Sequence, residues 1–270
     1  MIVRISRNSV RFGRRDRADK TSSVDQDVAT LTLLINAPYY YLLYTLWSLE
    51  VTPILVSLTV DVASFTIPFV LLRPAHAHTS ATGVKTANQA VARDWQIDVL
   101  TAALAAVVYA VTFYLTYLLG DFSVFLITHF DYIPTFERMH ASTVPTLLQL
   151  FAGNGVAAML FLFRPAIAAS GPAKTVTRRR SGSRKFKAET ATLMETISHN
   201  MGWGEAGPSH RAVVLGKRAG MLLLGTMANT FVRVFGTVEG TDIAGSLGYA
   251  GLWAAANALV AVSYGILGQE

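Results

Sequence analysis

Six apolar stretches of membrane-spanning length follow one another along this 270-residue chain, and nearly all of its lysines and arginines fall between alternate members of the series. A membrane helix needs about 20 mostly apolar residues, because a rise of 1.5 Å per residue then carries it across a hydrocarbon layer of about 30 Å. Val28–Leu49 meets that length, and Val51–Leu72 follows with only Glu50 between them, which predicts a tight helical hairpin. Ile97–Leu119, Val144–Phe163, Ala219–Val238 and Ala244–Leu267 complete the set. The expected fold is all-α, an integral membrane bundle of six transmembrane helices in three hairpins.

The same reading divides the chain into a basic tail at 1–27, a first hairpin at 28–72 and a polar loop at 73–96. Helices three and four occupy 97–163 around a loop at 120–143, a basic loop covers 164–211, and the last two helices lie within 212–268. Composition agrees: 52% hydrophobic residues, 15% charged residues and a mean hydropathy of +0.40 leave more apolar surface than a soluble domain hides.

Charge tests the count independently of hydropathy. With the N-terminus inside, the inner segments hold 7, 3 and 11 Lys/Arg, so 21 of the 23 lie on one side. Only Arg138 and Arg233 remain, while Glu50, Asp121, Asp131, Glu137, Glu239 and Asp242 lie on the other. That is the positive-inside pattern, and it places both termini in the cytosol. A net charge of +6 is therefore read as a topology signal that favours anionic lipid headgroups, and no nucleic-acid partner is expected.

Several chemistries are excluded at this stage. There is no cysteine, so no disulfide, thiolate metal site or cysteine nucleophile exists. The chain has no Asn-x-Ser/Thr sequon, no phosphate-binding glycine loop and no nucleophile elbow. No enzyme and no cofactor are expected. The arginine-rich start, Met1 to Lys20, has the basic character of a mitochondrial presequence, but Asp16, Asp19, Asp25 and Asp27 argue for a retained basic tail.

Within the spans, Asp61 stands out, because an aspartate at mid-membrane carries a penalty of about 2.5–3.5 kcal/mol on insertion scales. Asn36, Tyr40 and Tyr44 of the first span are its candidate hydrogen-bonding neighbours, forming with Asp61 and Arg233 a candidate intramembrane polar site. One reading is a proton or cation coupling site; the plainer one, preferred here, is an interhelical hydrogen bond or a neutral acid. Arg233 is expected to snorkel to the headgroups, with a turn inward to Asp61 as the alternative. Pro38 within the first span, Pro53 and Pro68 bracketing the second, and Gly153-Asn154-Gly155 in the fourth are read as candidate helix breaks of the kind transporters use.

Outside the spans, Arg178, Arg179, Arg180, Arg184, Lys185 and Lys187 form a candidate lipid-binding cluster interrupted by Ser181 and Ser183. Leu193, Met194, Ile197 and Met201 recur at helical spacing, as in a helix lying on the membrane or packing on the bundle. Phe122–Phe130 is apolar but too short to cross. His129, Asp131, Glu137 and His140 lie close in sequence, but their spacing matches no metal signature and they read as a polar loop. Small residues at every fourth position, namely Ser246, Ala250, Ala254 and Ala258, then Gly216 and Gly220, then Ala102, Ala106 and Ala110, predict close helix packing, with one face open to a second copy or a membrane partner.

The stretch His129–Phe151, with Asp131, Ile133-Pro134-Thr135, His140 and Pro145, resembles a group of multi-pass membrane proteins of filamentous fungi that have no assigned activity. The resemblance implies a eukaryotic membrane and adds no chemistry. From these features the expected role is a non-enzymatic scaffold or assembly factor of the endoplasmic reticulum or another endomembrane, with a small transporter or channel coupled through Asp61 as the alternative.

Overall fold

The computed structural model describes residues 7–72, 94–119, 122–169, 192, 196, 203–204 and 207–267, with side chains for 25–71, 94–118, 122–169, 192, 196 and 208–267. Among them the regular structure is helical apart from a two-residue strand pair, β1 (Trp203–Gly204) with β2 (Gly207–Pro208), and an isolated bridge between Phe130 and Thr241. The long helices are α1 (Arg7–Thr45), α2 (Val51–Leu72), α3 (Trp95–Leu119) and α6 (Val144–Ala158). A π-helical turn, Met159–Phe163, runs from α6 into α7 (Arg164–Ala169); α8 (His210–Thr237) and α9 (Ile243–Leu267) close the chain. Two short helices, α4 (Phe122–His129) and α5 (Glu137–His140), lie between α3 and α6.

Among the described residues, five helical segments are long and apolar enough to cross a membrane: Val51–Leu71, Trp95–Leu118, Val144–Ala169, His210–Thr237 and Ile243–Leu267. They make this an integral, multi-pass membrane protein. The first expected span is not among the five. Asn36, Pro38 and the run Tyr39-Tyr40-Tyr41 dilute its apolar character, although Leu34, Ala37, Tyr41, Leu42 and Leu46 are buried in the core. The helix also begins at Arg7 rather than near Val28, so the tail expected to be separate continues into it.

Pairwise contacts set the directions of the helices. Asp27 near the start of the span-length part of α1 meets Arg218 early in α8, while Tyr39 meets Thr237 at the end of α8, so those two helices run parallel. Asp98 at the start of α3 meets Arg164 near the end of the continuous run from α6 to α7, whose Gly155 lies further along α3 beside Ala102 and Ala106, and the Tyr264 hydroxyl late in α9 donates to the Thr101 carbonyl, so α3 is antiparallel to that run and to α9. α6 packs on α3 and α9 on α8. Their centre is a cluster of rings: Trp253 lies 4.8 Å from Phe113, 5.4 Å from Tyr41 and 5.8 Å from Phe151 between centroids. Edge-to-face and tilted geometries of this kind fill a core without voids.

Small residues govern the closest approach. A side chain at Gly155 would overlap the Ala102 carbonyl and crowd Ala106, so this glycine is what lets α6 touch α3. Gly153-Asn154-Gly155 is therefore no helix break, since α6 runs through it unbroken. The irregular turn comes later, at Met159–Phe163. Pro165 has no N–H, so the Phe161 carbonyl one α-turn back lacks its usual donor, and Arg218 Nη1 supplies one at 2.9 Å. Near Pro38 in α1, Asn229 donates to the Ile35 carbonyl at 2.8 Å, which ties this part of α1 to α8.

The connections between helices are fixed by polar side chains. Asp242 precedes α9 and accepts from the Gly245 N–H at 2.6 Å, the bond of an N-terminal cap. Ser209 caps α8 through Ala212. Gly240, at φ 74°, turns left-handed where a side chain would strike Asp131 and Tyr132, and its carbonyl accepts from the Asp131 N–H. Arg138 lies 4.6 Å over the Tyr44 ring and donates to the carbonyls of Tyr44 and Leu49, tying down the end of α1 and the link to α2. The apolar stretch too short to cross becomes α4, which covers the bundle: Leu126 is buried, and the Phe125 ring occupies the space beside Gly248.

Candidate functional site

The structure brings Asp61, Tyr40 and Arg233 together. Asp61 is at mid-length in α2, Tyr40 is two residues past Pro38 in α1, which runs unbroken through that proline, and Arg233 is one turn before the end of α8. Asp61 Oδ2 lies 2.7 Å from Arg233 Nη2 and accepts from the Tyr40 hydroxyl at 2.7 Å. Arg233 Nη1 donates to the Tyr40 oxygen at 3.5 Å, and the guanidinium lies 5.3 and 5.7 Å from the ring centroids of Tyr39 and Tyr40. Arg233 thus does not run out to the headgroups, as expected, but turns inward. The reason is local: an aspartate, a phenol and two ring faces sit within its reach and offset its charge where hydrocarbon cannot.

The pair is not sealed in the core. The side chains of Asp61 and Arg233 are 22% and 27% exposed, in a seam where α1, α2 and α8 meet. On a membrane-spanning helix that exposure faces lipid, so each ion depends on the other for compensation.

The other two residues expected beside Asp61 go elsewhere. Asn36 is buried, donates to the Thr32 carbonyl at 2.8 Å and accepts from Asn229 at 3.0 Å, which makes it part of the α1–α8 contact. Tyr44 belongs with Arg138 near the α1–α2 link. The basic cluster at Arg178, Arg179, Arg180, Arg184, Lys185 and Lys187 lies outside the described residues, as do Leu193, Met194, Ile197 and Met201. His129 and His140 are held separately: His129 Nδ1 is 2.9 Å from Asp242 Oδ2, whereas His140 lies against Phe136.

Two further ion pairs, at the ends of spans, follow the same logic and were not singled out in the sequence. Asp27 takes both amino groups of Arg218, at 2.6 and 3.0 Å, and Asp98 takes Nε and one amino group of Arg164. An uncharged network lies deeper: the Tyr109 hydroxyl donates to Asn257, whose amide donates to Thr226 at 2.9 Å, and all three residues are buried. The signal for these was present in the sequence. Asp98 and Arg164 stand at the adjoining ends of consecutive spans, and Asn229 and Asn257 are polar residues inside apolar runs, a class that normally faces protein.

Asp242, in the connection between α8 and α9, is held below the usual carboxylate range, first by the Gly245 N–H and then by His129. Its anion accepts from both groups at the helix start.

No family model, curated protein or solved structure matches this chain.

Proposed function

We propose that the protein is a non-enzymatic scaffold or assembly factor of an endomembrane, the endoplasmic reticulum first, with α1 from Val28 as a sixth span and the six arranged as three hairpins. Both termini are then cytosolic, following the distribution of Lys and Arg, and Arg178, Arg179, Arg180, Arg184, Lys185 and Lys187 meet anionic lipid from that side. Its partners are the bilayer and a second copy or another membrane protein packed on exposed helix faces. The observation that carries the reading is the use made of Asp61: its charge is already met by Arg233 and Tyr40, in a contact that joins three helices. The ring cluster at the bundle centre supports it further.

The second reading, a small transporter or channel coupled through Asp61, is favoured by one fact: the cluster of Asp61, Tyr40 and Arg233 is polar and partly exposed inside the membrane. Flux against pH in proteoliposomes separates the two. The scaffold reading expects no solute or proton flux from native protein, and no loss of function in Asp61→Asn. It also expects weaker binding to anionic vesicles when the basic residues from Arg178 to Lys187 are changed to glutamine. Proton-coupled flux that disappears in Asp61→Asn would replace it with the transporter.

A further inference from the structure

The α3–α6 contact leaves a groove of about 270 Å³ on its outer side, lined by Val99, Ala102, Ala103, Ala106, Ala152 and Val156, with Met159 at its floor and Asp98 at one end. It exists because Gly155 brings the two backbones together while alanines on both helices fail to fill the notch between them. Its walls are carbon. Ala103, Ala152 and Val156 are exposed, so the groove opens sideways, where a membrane helix meets lipid.

The charged end gives the groove a direction. Asp98 is the carboxylate paired with Arg164, and the Arg164 side chain remains 37% exposed. Arg164 spends Nε and one amino group on Asp98, and its other amino group has no partner among the described residues. Trp95, the first residue of α3, is 69% exposed and stands one helical turn before Val99, on the same stripe. A tryptophan at a span end marks the headgroup level. The groove therefore starts at that level beside the half-exposed Arg164 guanidinium and runs into the hydrocarbon.

We propose that this groove is a binding site for one phospholipid, with an acyl chain along the alanine notch and the phosphate on Nη1 of Arg164. A chain entering from the bilayer exchanges one hydrocarbon environment for another and gains little hydrophobic free energy. Retention of this lipid over its neighbours rests instead on dispersion contacts with the walls and on charge-assisted bonds to phosphate.

The test is the phospholipid retained by the full-length protein purified in mild detergent, counted by native mass spectrometry and identified by lipid extraction. Native protein is expected to keep about one phospholipid per chain, and Ala103→Phe with Ala152→Phe, which fills the groove from its exposed side, to lower the occupancy about tenfold, equivalent to about 1.4 kcal/mol. Leu224→Phe, on the exposed face of α8, should leave it unchanged. Asp98→Asn with Arg164→Gln, which removes both charges together, should abolish the preference for a phospholipid over a diacylglycerol with the same acyl chains. Native protein without retained phospholipid, or equal retention in the filled groove, overturns the site; an unchanged preference for phospholipid over diacylglycerol in the charge-free variant overturns the phosphate contact. A photoreactive phosphatidylcholine applied to native protein in vesicles keeps the test independent of variant folding. Labelling concentrated on 99–106 and 152–159 supports the site, whereas labelling spread evenly over lipid-facing helices overturns it, as does capture of a neighbouring protein helix there.

Discussion

α2 and α9 are helices of similar length, 22 and 25 residues, and α2 is the more apolar by mean hydropathy, yet none of its most apolar stretch is buried whereas 44% of that of α9 is. In water the order would be reversed. Inside a bilayer, apolar surface gains little by leaving lipid for protein, so packing shape and polar contacts decide which helix goes to the centre. α9 carries Trp253, Tyr249, Tyr264 and Asn257, each with partners on other helices. α2 presents Leu55, Val56, Val60, Phe65 and Ile67 outward and meets Arg233 and Tyr40 through Asp61.

The largest expected effect breaks the comparison at its centre. Trp253→Ala removes the ring that touches Tyr41, Phe113 and Phe151, and should lower stability by about 3 kcal/mol or more through the cavity left in a packed site. Phe65→Ala in α2, where the ring is 57% exposed, should change it by no more than about 0.5 kcal/mol. Unfolding titrations in mixed detergent micelles measure both, and equal losses would mean that α2 is buried in the working assembly.

Next comes the link that holds α2. Breaking an ion pair from one side leaves the other charge uncompensated, and the two sides are not equivalent. Arg233→Gln strands Asp61, whose short side chain cannot reach the headgroups from mid-membrane, and should cost about 2–3 kcal/mol. Asp61→Asn leaves an arginine one turn from its helix end, which can then snorkel, and should cost about 1 kcal/mol. The double variant should recover most of the Arg233→Gln loss. A double-mutant cycle reads this directly, and additive losses would show that the two side chains do not interact.

These sites differ in how far the sequence announced them. Five of the six expected spans were legible, because 20-residue apolar runs have few other uses, and α2 begins and ends where its apolar run does. α1 was read as a span from Val28, but its polar residues, which its neighbours in the bundle use, take it below the apolar level of the rest. Asp61, Tyr40 and Arg233 were named as one candidate site, since an intramembrane acid needs a partner and few were at compatible depth. The inward turn of Arg233 was not legible, because it depends on α1 and α8 running parallel, which no local pattern records. Asn36 and Tyr44 were assigned by depth alone, and helix rotation sends them to Asn229 and Arg138. Pro165 and Arg218 lie 53 positions apart, so their joint effect on the π-helical turn depends on tertiary contact.

Two glycines that spacing treats alike should respond in opposite directions. Gly155→Leu forces α6 off the Ala102 carbonyl and should cost about 1–3 kcal/mol as an overpacked contact. Gly216→Ala meets nothing within 4 Å and should be neutral, or stabilise α8 by up to about 1 kcal/mol through helix propensity. The expectation that Gly216 and Gly220 pack within the molecule is thus not met, since both face open space. A loss of stability on Gly216→Ala would place another chain against that face.

The smallest effect lies outside the hydrocarbon, where water screens it. Asp242 has a folded-state pKa below its ordinary value because its anion accepts from Gly245 and His129. Well above the ordinary aspartate range the carboxylate is charged in both folded and unfolded chains, and its contribution to stability is fully present. As pH falls through the ordinary value the unfolded chain takes up the proton first, and the contribution declines until the folded carboxyl is protonated at the lower value. The difference between native protein and Asp242→Asn in unfolding midpoint should therefore be constant from mildly acid pH upward and shrink below the ordinary aspartate range. Other acids contribute to both curves and cancel in that difference. A difference that instead grows with acid would mean that the cap and the His129 contact favour the protonated carboxyl, contrary to the geometry at the start of α9.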